Sequence, residues 1–222
     1  MSAKTAETIG VQNGKFITFE GGEGVGKSTQ IRRLAARLSP FGEVVLTREP
    51  GGSPGAEALR DLLVQGAADR WSPTAETLLL YAARADHLER LIMPALARGA
   101  FVLSDRFTDS TRAYQGAGGG ASPQMIDMLE DMVVGVARPE LTLVFDLPVE
   151  VGLARAIARG GAEQRFERKG EAFHQRLREG FLAIAEAEPQ RCRVINADDD
   201  MDGVAAAVWA SVSAHFGVDE LS

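Results

Sequence analysis

The stretch "ITFEGGEGVGKSTQIRRL", residues 17–34, decides the fold, because it runs from an apolar strand through a glycine-rich turn into a basic helix. Residues 15–20 carry β-branched and aromatic side chains typical of a strand, and residues 29–38 carry apolar side chains at helical spacing. The glycines allow successive backbone N–H groups to point at one spot, and the helix adds the positive end of its dipole. This combination predicts an anion site.

The spacing from Gly21 to Ser28 matches G-x-x-x-x-G-K-[ST], the phosphate-binding P-loop. A flexible glycine-rich turn with a solvated lysine is the alternative interpretation, but the flanking strand and helix favour the P-loop. We therefore predict a nucleoside triphosphate site. Its predicted residues are Gly21, Gly22, Glu23, Gly24, Val25, Gly26, Lys27, Ser28 and Thr29.

Composition limits the class of protein. The chain has 222 residues, 45% of them hydrophobic, which suits one compact α/β domain. A formal net charge of −7 argues against non-specific binding to nucleic acid. The single cysteine, Cys192, excludes a disulfide framework and is predicted to be a buried strand residue. Residues 1–13 are predicted to form a flexible tail that lacks the apolar segment of a signal peptide. No apolar run in the sequence is long enough for a membrane span. We therefore expect a cytoplasmic, soluble protein.

Predicted strands and helices alternate along the chain, which is the pattern of βαβ units and a parallel sheet. The predicted strands are 16–19, 44–47, 101–104, 142–145 and 193–195. The predicted helices are 29–38, 55–65, 72–98, 123–134, 149–159, 167–187 and 203–216. The glycine run 116–120 and the charged stretch 159–171 are predicted loops. We thus predict an α/β fold of the P-loop NTPase type, in which a parallel sheet of about five strands is flanked by helices.

Two further segments follow predicted strands and carry arginine. "TREPGGSPGAEALR" (47–60) places Arg48 before a tight turn and Arg60 in the next helix, and "VLSDRFTDSTRAYQG" (102–116) contains Asp105 and Arg106. Each segment alone is compatible with an ordinary loop or a surface ion pair. In an open parallel sheet, however, loops at the carboxyl ends of the strands line the ligand crevice. The two segments together therefore indicate a phosphate site beside the P-loop, where the Asp–Arg pair serves a magnesium ion and a phosphate.

The motifs "EGGEGVGKST", "TREPGG", "LLLYAAR" and "DRFTDSTRAYQ", followed by an arginine-rich stretch at 155–168, occur in an order that resembles the bacterial thymidylate kinase family. The resemblance covers residues 15–215. It implies ATP-dependent phosphorylation of dTMP to dTDP in dTTP biosynthesis, by one nucleoside-monophosphate-kinase-like domain over 14–222 with a mobile lid at about 155–171. It also implies ATP and dTMP as partners, Mg²⁺ as cofactor, no nucleic-acid or membrane partner, and a homodimer to which residues 72–98 contribute.

The resemblance implies roles for the residues that meet phosphate. Lys27 and the P-loop backbone would hold the ATP phosphates, and Ser28 would offer its hydroxyl to Mg²⁺ beside Asp105. Arg106 and Arg48 would grip the phosphate of dTMP, because the planar guanidinium can pair with two phosphate oxygens at once.

The resemblance also implies how base and sugar are recognised. Arg84 and Gln115 would hydrogen-bond the thymine, with Thr111 as a small polar neighbour. Tyr114 would lie beside the 2′ position of the sugar and disfavour ribose, and Glu23 would lie near the 3′-hydroxyl. The complete predicted dTMP site comprises Glu23, Arg48, Pro50, Arg60, Leu80, Arg84, Arg106, Thr111, Tyr114 and Gln115.

No general base is required for this reaction, because the attacking phosphate oxygen is already ionised at neutral pH. Catalysis then consists of positioning and of cancelling the charge crowded between two phosphate groups. Gly24 stands where some family members have an arginine, so the resemblance implies that the lid supplies the compensating cation. The predicted catalytic residues are Lys27, Arg106, Arg159 and Arg165, with Arg155 and Arg168 as further candidates.

Two positions depart from the family pattern. Leu80 stands where the family usually has a phenylalanine that stacks on thymine, and losing the aromatic interaction costs roughly 0.5–1.5 kcal/mol. Tyr81 and Phe107 are the nearest rings in sequence that could compensate. Gln164 stands where the lid often has an aspartate, and it cannot supply that carboxylate.

Other classes of nucleotide-binding protein are alternatives. The nearest is another P-loop nucleoside monophosphate kinase, of the UMP/CMP type. A regulatory nucleotide switch is less favoured, because the chain has no N-K-x-D motif for reading guanine. Its D-x-x-G match, at 200–203, follows the last predicted strand. A nucleic-acid motor is disfavoured by the acidic balance.

Overall fold

The structure, a computed structural model, describes residues 14–67, 69–160, 165 and 169–218, with residue 159 described by its backbone alone. The predicted N-terminal tail at 1–13 lies outside these ranges, as do 161–164 and 166–168 of the predicted lid.

Five parallel strands form one sheet in the order β2-β3-β1-β4-β5. They are β1 (Lys15–Gly21), β2 (Val44–Arg48), β3 (Phe101–Asp105), β4 (Leu141–Asp146) and β5 (Cys192–Asn196). Each contains a predicted strand, so the predicted α/β fold of the P-loop NTPase type is confirmed. Cys192 is buried at the start of β5, as predicted.

Helices flank the sheet on both faces. They are α1 (Lys27–Leu38), α2 (Pro54–Val64), α3 (Pro73–His87), α4 (Met93–Ala97), α5 (Thr108–Thr111), α6 (Pro123–Val133), α7 (Val149–Arg159), α8 (Glu171–Ala187) and α9 (Met201–Phe216). The helix predicted from 167 begins only at Glu171 in the described residues, because Gly170 has a φ of 77°. Within the part of the chain described, no helix combines the length and apolar character that crossing a membrane requires.

The long helix predicted over 72–98 is continuous but not uniform. Ser72 caps its start by accepting a hydrogen bond from the Ala75 N–H at 3.3 Å. A π-helical turn, Leu88–Ile92, joins α3 to α4 and ends two residues before Pro94, whose nitrogen cannot donate an α-helical hydrogen bond. Gly99, with a φ of 83°, ends the helix as predicted.

The segment after β3 differs from the sequence prediction. Instead of a loop through 116–120, α5 continues into a π-helical stretch, Arg112–Gly118. Packing against α8 explains this: the Tyr114 ring lies 6.1 Å from Phe173 and 6.3 Å from Phe181. Gly118 permits the close approach, because a Cβ there would lie 2.7 Å from the Phe173 ring. Tertiary contacts therefore override the weak helical propensity of a glycine-rich sequence.

Apolar clusters pack on both faces of the sheet, one on the first face and two on the other, and β1 contributes to both faces. Ile17 and Phe19 pack with α1 and α9, whereas Phe16 packs with α3 and the chain after β3. Burial on both faces is expected for a central parallel strand. Because parallel strands end at one edge, Arg48 of β2 and Phe19 of β1 both align with Asp105 of β3. The P-loop and both arginine-bearing segments consequently leave the sheet side by side.

Candidate active site

A cleft of about 790 Å³ opens at this edge of the sheet. It is lined by the P-loop, the turn after β2, α2, α3 and the chain after β3. The predicted site residues that line it are Glu23, Gly24, Val25, Gly26, Lys27, Ser28, Thr29, Arg48, Pro50, Arg60, Leu80, Asp105, Arg106, Thr111, Tyr114 and Gln115. The structure thus brings together residues that are widely separated in sequence.

The backbone of the P-loop surrounds the Lys27 side chain. The Lys27 Nζ donates to the Gly22 carbonyl at 3.0 Å and to the Gly21 carbonyl at 3.3 Å. Burial lowers the pKa of Lys27 to about 8, reinforced by the Arg106 charge and opposed by nearby carboxylates. Gly26 precedes α1 with a φ of 92° and no side-chain cap, which leaves the helix N-terminus for an anion.

Gly24 is required by the packing of the P-loop against α7. Its φ is 69°, and a Cβ there would lie 2.0 Å from the Gly152 carbonyl oxygen. No side chain fits at this position unless α7 moves, so the P-loop as folded has no room for a second cation at residue 24.

Ser28 and Asp105, which are the two predicted Mg²⁺ ligands, are neighbours. The Ser28 Oγ donates to the Asp105 Oδ2 at 2.9 Å. Among the described residues, no group of three or more His, Cys, Asp or Glu side chains could hold a metal alone. A hydroxyl and one carboxylate nevertheless fit Mg²⁺, which prefers oxygen ligands and keeps several waters or substrate phosphate oxygens.

Arg106 is fixed in an unusual backbone conformation at the centre of the cleft. Its φ is 72°, in the left-handed region that costs a non-glycine residue energy. Ser104 supports this turn by donating to the Arg106 carbonyl at 2.7 Å. The guanidinium donates to the Gly21 carbonyl at 2.9 Å, the Ser110 Oγ at 3.1 Å and the Glu23 Oε1 at 3.0 Å. The strained backbone thereby directs the guanidinium towards the P-loop.

Glu23 holds two other predicted site residues in place. Its Oε1 accepts hydrogen bonds from Arg106 and, at 2.7 Å, from the Tyr114 hydroxyl. Burial would raise the pKa of Glu23, but Arg106 and Lys27, with the Tyr114 hydrogen bond, outweigh burial and lower the pKa to about 2. Glu23 is therefore ionised at neutral pH, and the Arg106 guanidinium lies over the Tyr114 ring at 4.8 Å.

Glu20 is a buried site residue that the sequence reasoning missed. It accepts hydrogen bonds from the Phe107 N–H at 2.7 Å and the Ser110 Oγ at 2.6 Å, and both of these residues follow Arg106 within four positions. Burial, together with the Asp109 charge, raises the pKa of Glu20 to about 7. The available signal was a lone carboxylate within the apolar strand "FITFEG".

Arg84 lies buried behind the far wall of the cleft. Its Nε donates to the Glu49 Oε2 at 2.8 Å, and its Nη2 donates to the Thr111 Oγ1 at 3.0 Å. His87 holds the other Glu49 oxygen through its Nδ1 at 3.0 Å. The Arg84 Nη1 is buried and finds no hydrogen-bond partner among the described residues. Leaving a buried donor unpaired costs free energy of folding, so this nitrogen is a candidate to donate a hydrogen bond to a ligand.

Gln115 completes this end of the cleft. Its Nε2 donates to the Glu76 Oε1 at 2.7 Å. The sequence reasoning missed Glu49, Glu76 and His87, because an acidic or histidine side chain on a loop or helix is usually solvated.

Leu80 lines the cleft, but the two rings considered as substitutes for an aromatic side chain there do not. Tyr81 and Phe107 are buried and bracket Arg84, whose guanidinium carbon lies 4.6 Å and 5.2 Å from the respective ring centroids. Their contact with Arg84 is consistent with a role in orienting its guanidinium.

Arg48 and Arg60 line the side of the cleft formed by the turn after β2. The Arg48 Nη2 lies 3.1 Å from the Glu57 Oε2, and the Arg60 Nη1 donates to the Pro50 carbonyl at 2.6 Å. Glu57 also accepts the Gly52 N–H at 2.9 Å, which stabilises the turn. Both arginines thus lie in the cleft predicted for the phosphate of dTMP.

The predicted lid arginines are described unevenly. Arg165 is 2% exposed; it donates to the Leu63 and Ala67 carbonyls at 3.0 Å each and forms an ion pair with Glu76. Its described contacts therefore lie towards Glu76 and the end of the cleft where Gln115 lies, rather than with the P-loop. Arg155 donates to the Ala197 carbonyl at 3.5 Å. The side chain of Arg159, and residues Gln164 and Arg168 entirely, lie outside the described structure.

Comparisons with known proteins agree with this geometry. A family model described as "Thymidylate kinase" matches residues 19–208. The chain is 65% identical over 206 residues to a thymidylate kinase of Caulobacter vibrioides, covering 92% of this chain and 99% of that protein. It is 54% identical to a thymidylate kinase of Nitrobacter winogradskyi, covering 90% and 89% of the two chains. The crystal structure of thymidylate kinase from Ehrlichia chaffeensis superimposes with a TM-score of 0.72 at 36% identity, covering 90% of this chain and 99% of that one.

Proposed function

The chain belongs to the thymidylate kinase family, and from this premise we propose that it transfers the γ-phosphoryl group of ATP to dTMP, giving dTDP for dTTP synthesis. The observation that carries the proposal is one cleft in which the P-loop faces Arg106 at its centre, with the unpaired Arg84 Nη1 buried behind its far wall. These features correspond in order to a donor phosphate, an acceptor phosphate and a base. The comparisons do not favour the UMP/CMP-kinase or switch alternatives.

The donor half of the cleft suits ATP. Lys27 and the backbone N–H groups at the start of α1 would bind its phosphates. Ser28 and Asp105 would hold Mg²⁺, which when bound neutralises charge on the β- and γ-phosphates. The remaining P-loop residues of the predicted ATP site shape the backbone that approaches these phosphates.

The acceptor half suits a monophosphate. Arg106 and Arg48 would bind the dTMP phosphate, and Arg60 and Pro50 would complete that wall. The phosphate group of a nucleoside monophosphate carries more negative charge than the Glu23 carboxylate. An incoming phosphate can therefore compete with Glu23 for the Arg106 guanidinium, while Glu23 keeps its hydrogen bond from the Tyr114 hydroxyl. The attacking oxygen is ionised, and what the protein contributes is alignment and charge cancellation.

The end of the cleft formed by Gln115, with Arg84 behind it, is the proposed base end, and it matches the hydrogen-bonding edge of thymine. The unpaired Arg84 Nη1 is a donor suited to the O4 carbonyl, and the Gln115 Oε1 is an acceptor suited to the N3–H. Leu80 supplies an apolar surface, and Thr111 supports Arg84. Tyr114 would lie beside the 2′ carbon and Glu23 near the 3′-hydroxyl.

The cation needed as phosphoryl transfer proceeds would come from the lid, because Gly24 leaves no room for an arginine in the P-loop. We retain Arg159 and Arg165 for this role beside Lys27 and Arg106. Arg165 would have to leave its ion pair with Glu76 to reach the transferred group.

We further propose a cytoplasmic homodimer that uses ATP and Mg²⁺ and binds neither nucleic acid nor membrane. Exposed apolar residues on the long helix, Leu78 (48% exposed) and Met93 (41% exposed), support a contact surface there.

The test is a coupled assay with ATP and Mg²⁺ and a panel of dTMP, dUMP, UMP and CMP. We expect dTMP to be used with the highest kcat/KM. Preferential turnover of UMP or CMP would instead support a nucleoside monophosphate kinase of the UMP/CMP type. Nucleotide binding without transfer to any monophosphate would favour a regulatory nucleotide switch.

A further inference from the structure

Glu76 is a buried carboxylate whose two oxygens serve different partners. Its Oε1 accepts the Gln115 Nε2 at 2.7 Å, and its Oε2 pairs with the Arg165 guanidinium. Glu76 is 4% exposed and lies on α3, one turn before Leu80 of the cleft wall. The carboxylate therefore joins a residue at the base end of the cleft to a residue of the predicted lid segment.

This arrangement determines which end of the Gln115 amide faces the cleft. A carboxylate paired with a guanidinium accepts hydrogen bonds and does not donate them. The NH₂ group of Gln115 must therefore face Glu76, and its carbonyl oxygen must face away from it. None of the described residues donates a hydrogen bond to that oxygen, and Gln115 lines the cleft.

We propose that Glu76 is a positioning residue for substrate specificity: it locks the Gln115 amide so that an acceptor, and not a donor, faces the base. An acceptor here selects a pyrimidine with N3–H, such as thymine, over one with an unprotonated N3, such as 5-methylcytosine. The proposal deepens the proposed function and rests on it.

Glu76→Gln tests the orientation directly. The new amide has one acceptor and one donor end, and its acceptor end is drawn to the Arg165 guanidinium, which can only donate. Its donor end then faces Gln115, so the Gln115 amide must turn its oxygen inward and its NH₂ group towards the base. This reversal places a donor against the thymine N3–H.

The measurement is kcat/KM for dTMP divided by kcat/KM for 5-methyl-dCMP, which keeps the methyl group, sugar and phosphate of dTMP. We expect Glu76→Gln to lower this ratio at least about tenfold, mainly through a higher KM for dTMP, with the KM for ATP unchanged. The matched control is Arg165→Lys, which keeps a cation beside Glu76 and the Glu76–Gln115 bond. Even if its kcat falls, its ratio should stay within about twofold of wild type.

Circular dichroism and thermal melting establish whether each variant folds. If Glu76→Gln does not fold, the double variant Glu76→Met/Arg165→Met removes both charges together and still deprives Gln115 of its acceptor. Its ratio should also fall, because the amide is then free to turn.

The outcomes separate this inference from the proposed function. A wild-type protein that does not phosphorylate dTMP overturns the function. If the wild-type protein does phosphorylate dTMP, a folded Glu76→Gln variant with an unchanged ratio overturns the role of Glu76 alone. A lowered ratio in Arg165→Lys equal to that in Glu76→Gln likewise overturns it, because the effect would then follow the ion pair and not the amide.

Discussion

At the scale of single residues, Arg106 shows how the site combines backbone strain with side-chain pairing. A positive φ directs the guanidinium inward, and hydrogen bonds to Gly21, Ser110 and Glu23 fix it there. Such strain persists only where the surroundings over-determine the conformation. Ionised Glu23 supplies much of that support, so a phosphate bound as we propose would meet a cation that is already oriented.

Lys27→Ala should abolish phosphoryl transfer and leave the fold intact, because in the proposed function this lysine neutralises donor-phosphate charge. We expect kcat to fall by about 10²-fold or more. Turnover of dTMP and far-ultraviolet circular dichroism measure the two effects. Lys15→Ala, which removes a half-exposed lysine at the start of β1, is the control and should retain turnover. Retained turnover in a folded Lys27→Ala variant would show that this loop does not hold the donor.

Glu20 should make stability depend on pH. Burial and the Asp109 charge raise its pKa from 4.5 to about 7, so the folded protein binds this proton more tightly than the unfolded chain. The associated stability is complete below about pH 4.5 and is lost as the pH rises through 7. Glu20→Gln stays neutral, and its hydrogen-bond partners can be retained. Its free energy of unfolding relative to wild type should therefore increase by up to about 3 kcal/mol between pH 4.5 and 8 in urea titrations. A pH-independent difference would contradict this assignment.

At the scale of elements, the five strands and the ends of the long helix were predictable because each depends on local sequence. Apolar β-branched runs specify β1 to β5, and Ser72 and Gly99 mark the two ends of the helix. The helical segment 108–118 was not predictable, because it is stabilised by α8, which lies more than fifty residues later in the sequence.

The candidate site also contains residues that were predictable from the sequence and residues that were not. The P-loop and the Asp105–Arg106 pair follow strands directly, so sequence order alone places them at one edge of the sheet. The buried partners Glu76 and Glu20 depend on contacts with distant segments, to Arg165 and to Phe107 and Ser110 respectively. No local pattern distinguishes such a carboxylate from a solvated one.

The lid segment should supply a cation in the transition state. We expect Arg159→Ala and Arg165→Ala each to lower kcat at least about tenfold, with much smaller shifts in the dissociation constants of ATP and dTMP, because the cation acts during transfer. Single-turnover kinetics and calorimetric binding measure the two effects.

The two variants should differ in stability. Arg165→Ala also removes the guanidinium that pairs with the buried Glu76 carboxylate, so the melting temperature of this variant should fall. Arg98→Ala, which removes an exposed arginine paired with the exposed Glu43 away from the cleft, is the control and should change neither turnover nor the melting temperature by much. Wild-type turnover in both single variants and in the Arg159→Ala/Arg165→Ala double variant would show that the compensating cation lies elsewhere.

At the scale of the whole molecule, charge is distributed unevenly. The chain carries a net charge of −7, yet the cleft collects cationic side chains that the folding of distant segments brings together. Those lining the cleft are Lys27, Arg32, Arg48, Arg60 and Arg106. A net negative charge disfavours non-specific binding of polyanions, whereas the cationic side chains of the cleft favour small phosphorylated ligands.

The long helix should carry part of a homodimer interface. Leu78 is 48% exposed on α3, and Met93 is 41% exposed at the start of α4, so association would remove both from water. Leu78→Lys keeps helical propensity but places a charge in that contact, and we expect it to shift the protein from dimer to monomer in sedimentation velocity experiments at micromolar concentration. Met201→Lys, at a position that is 60% exposed on α9, is the matched control and should leave the dimer unchanged. A wild-type monomer would refute the homodimer proposal, whereas a dimer that persists in both variants would place its interface away from Leu78.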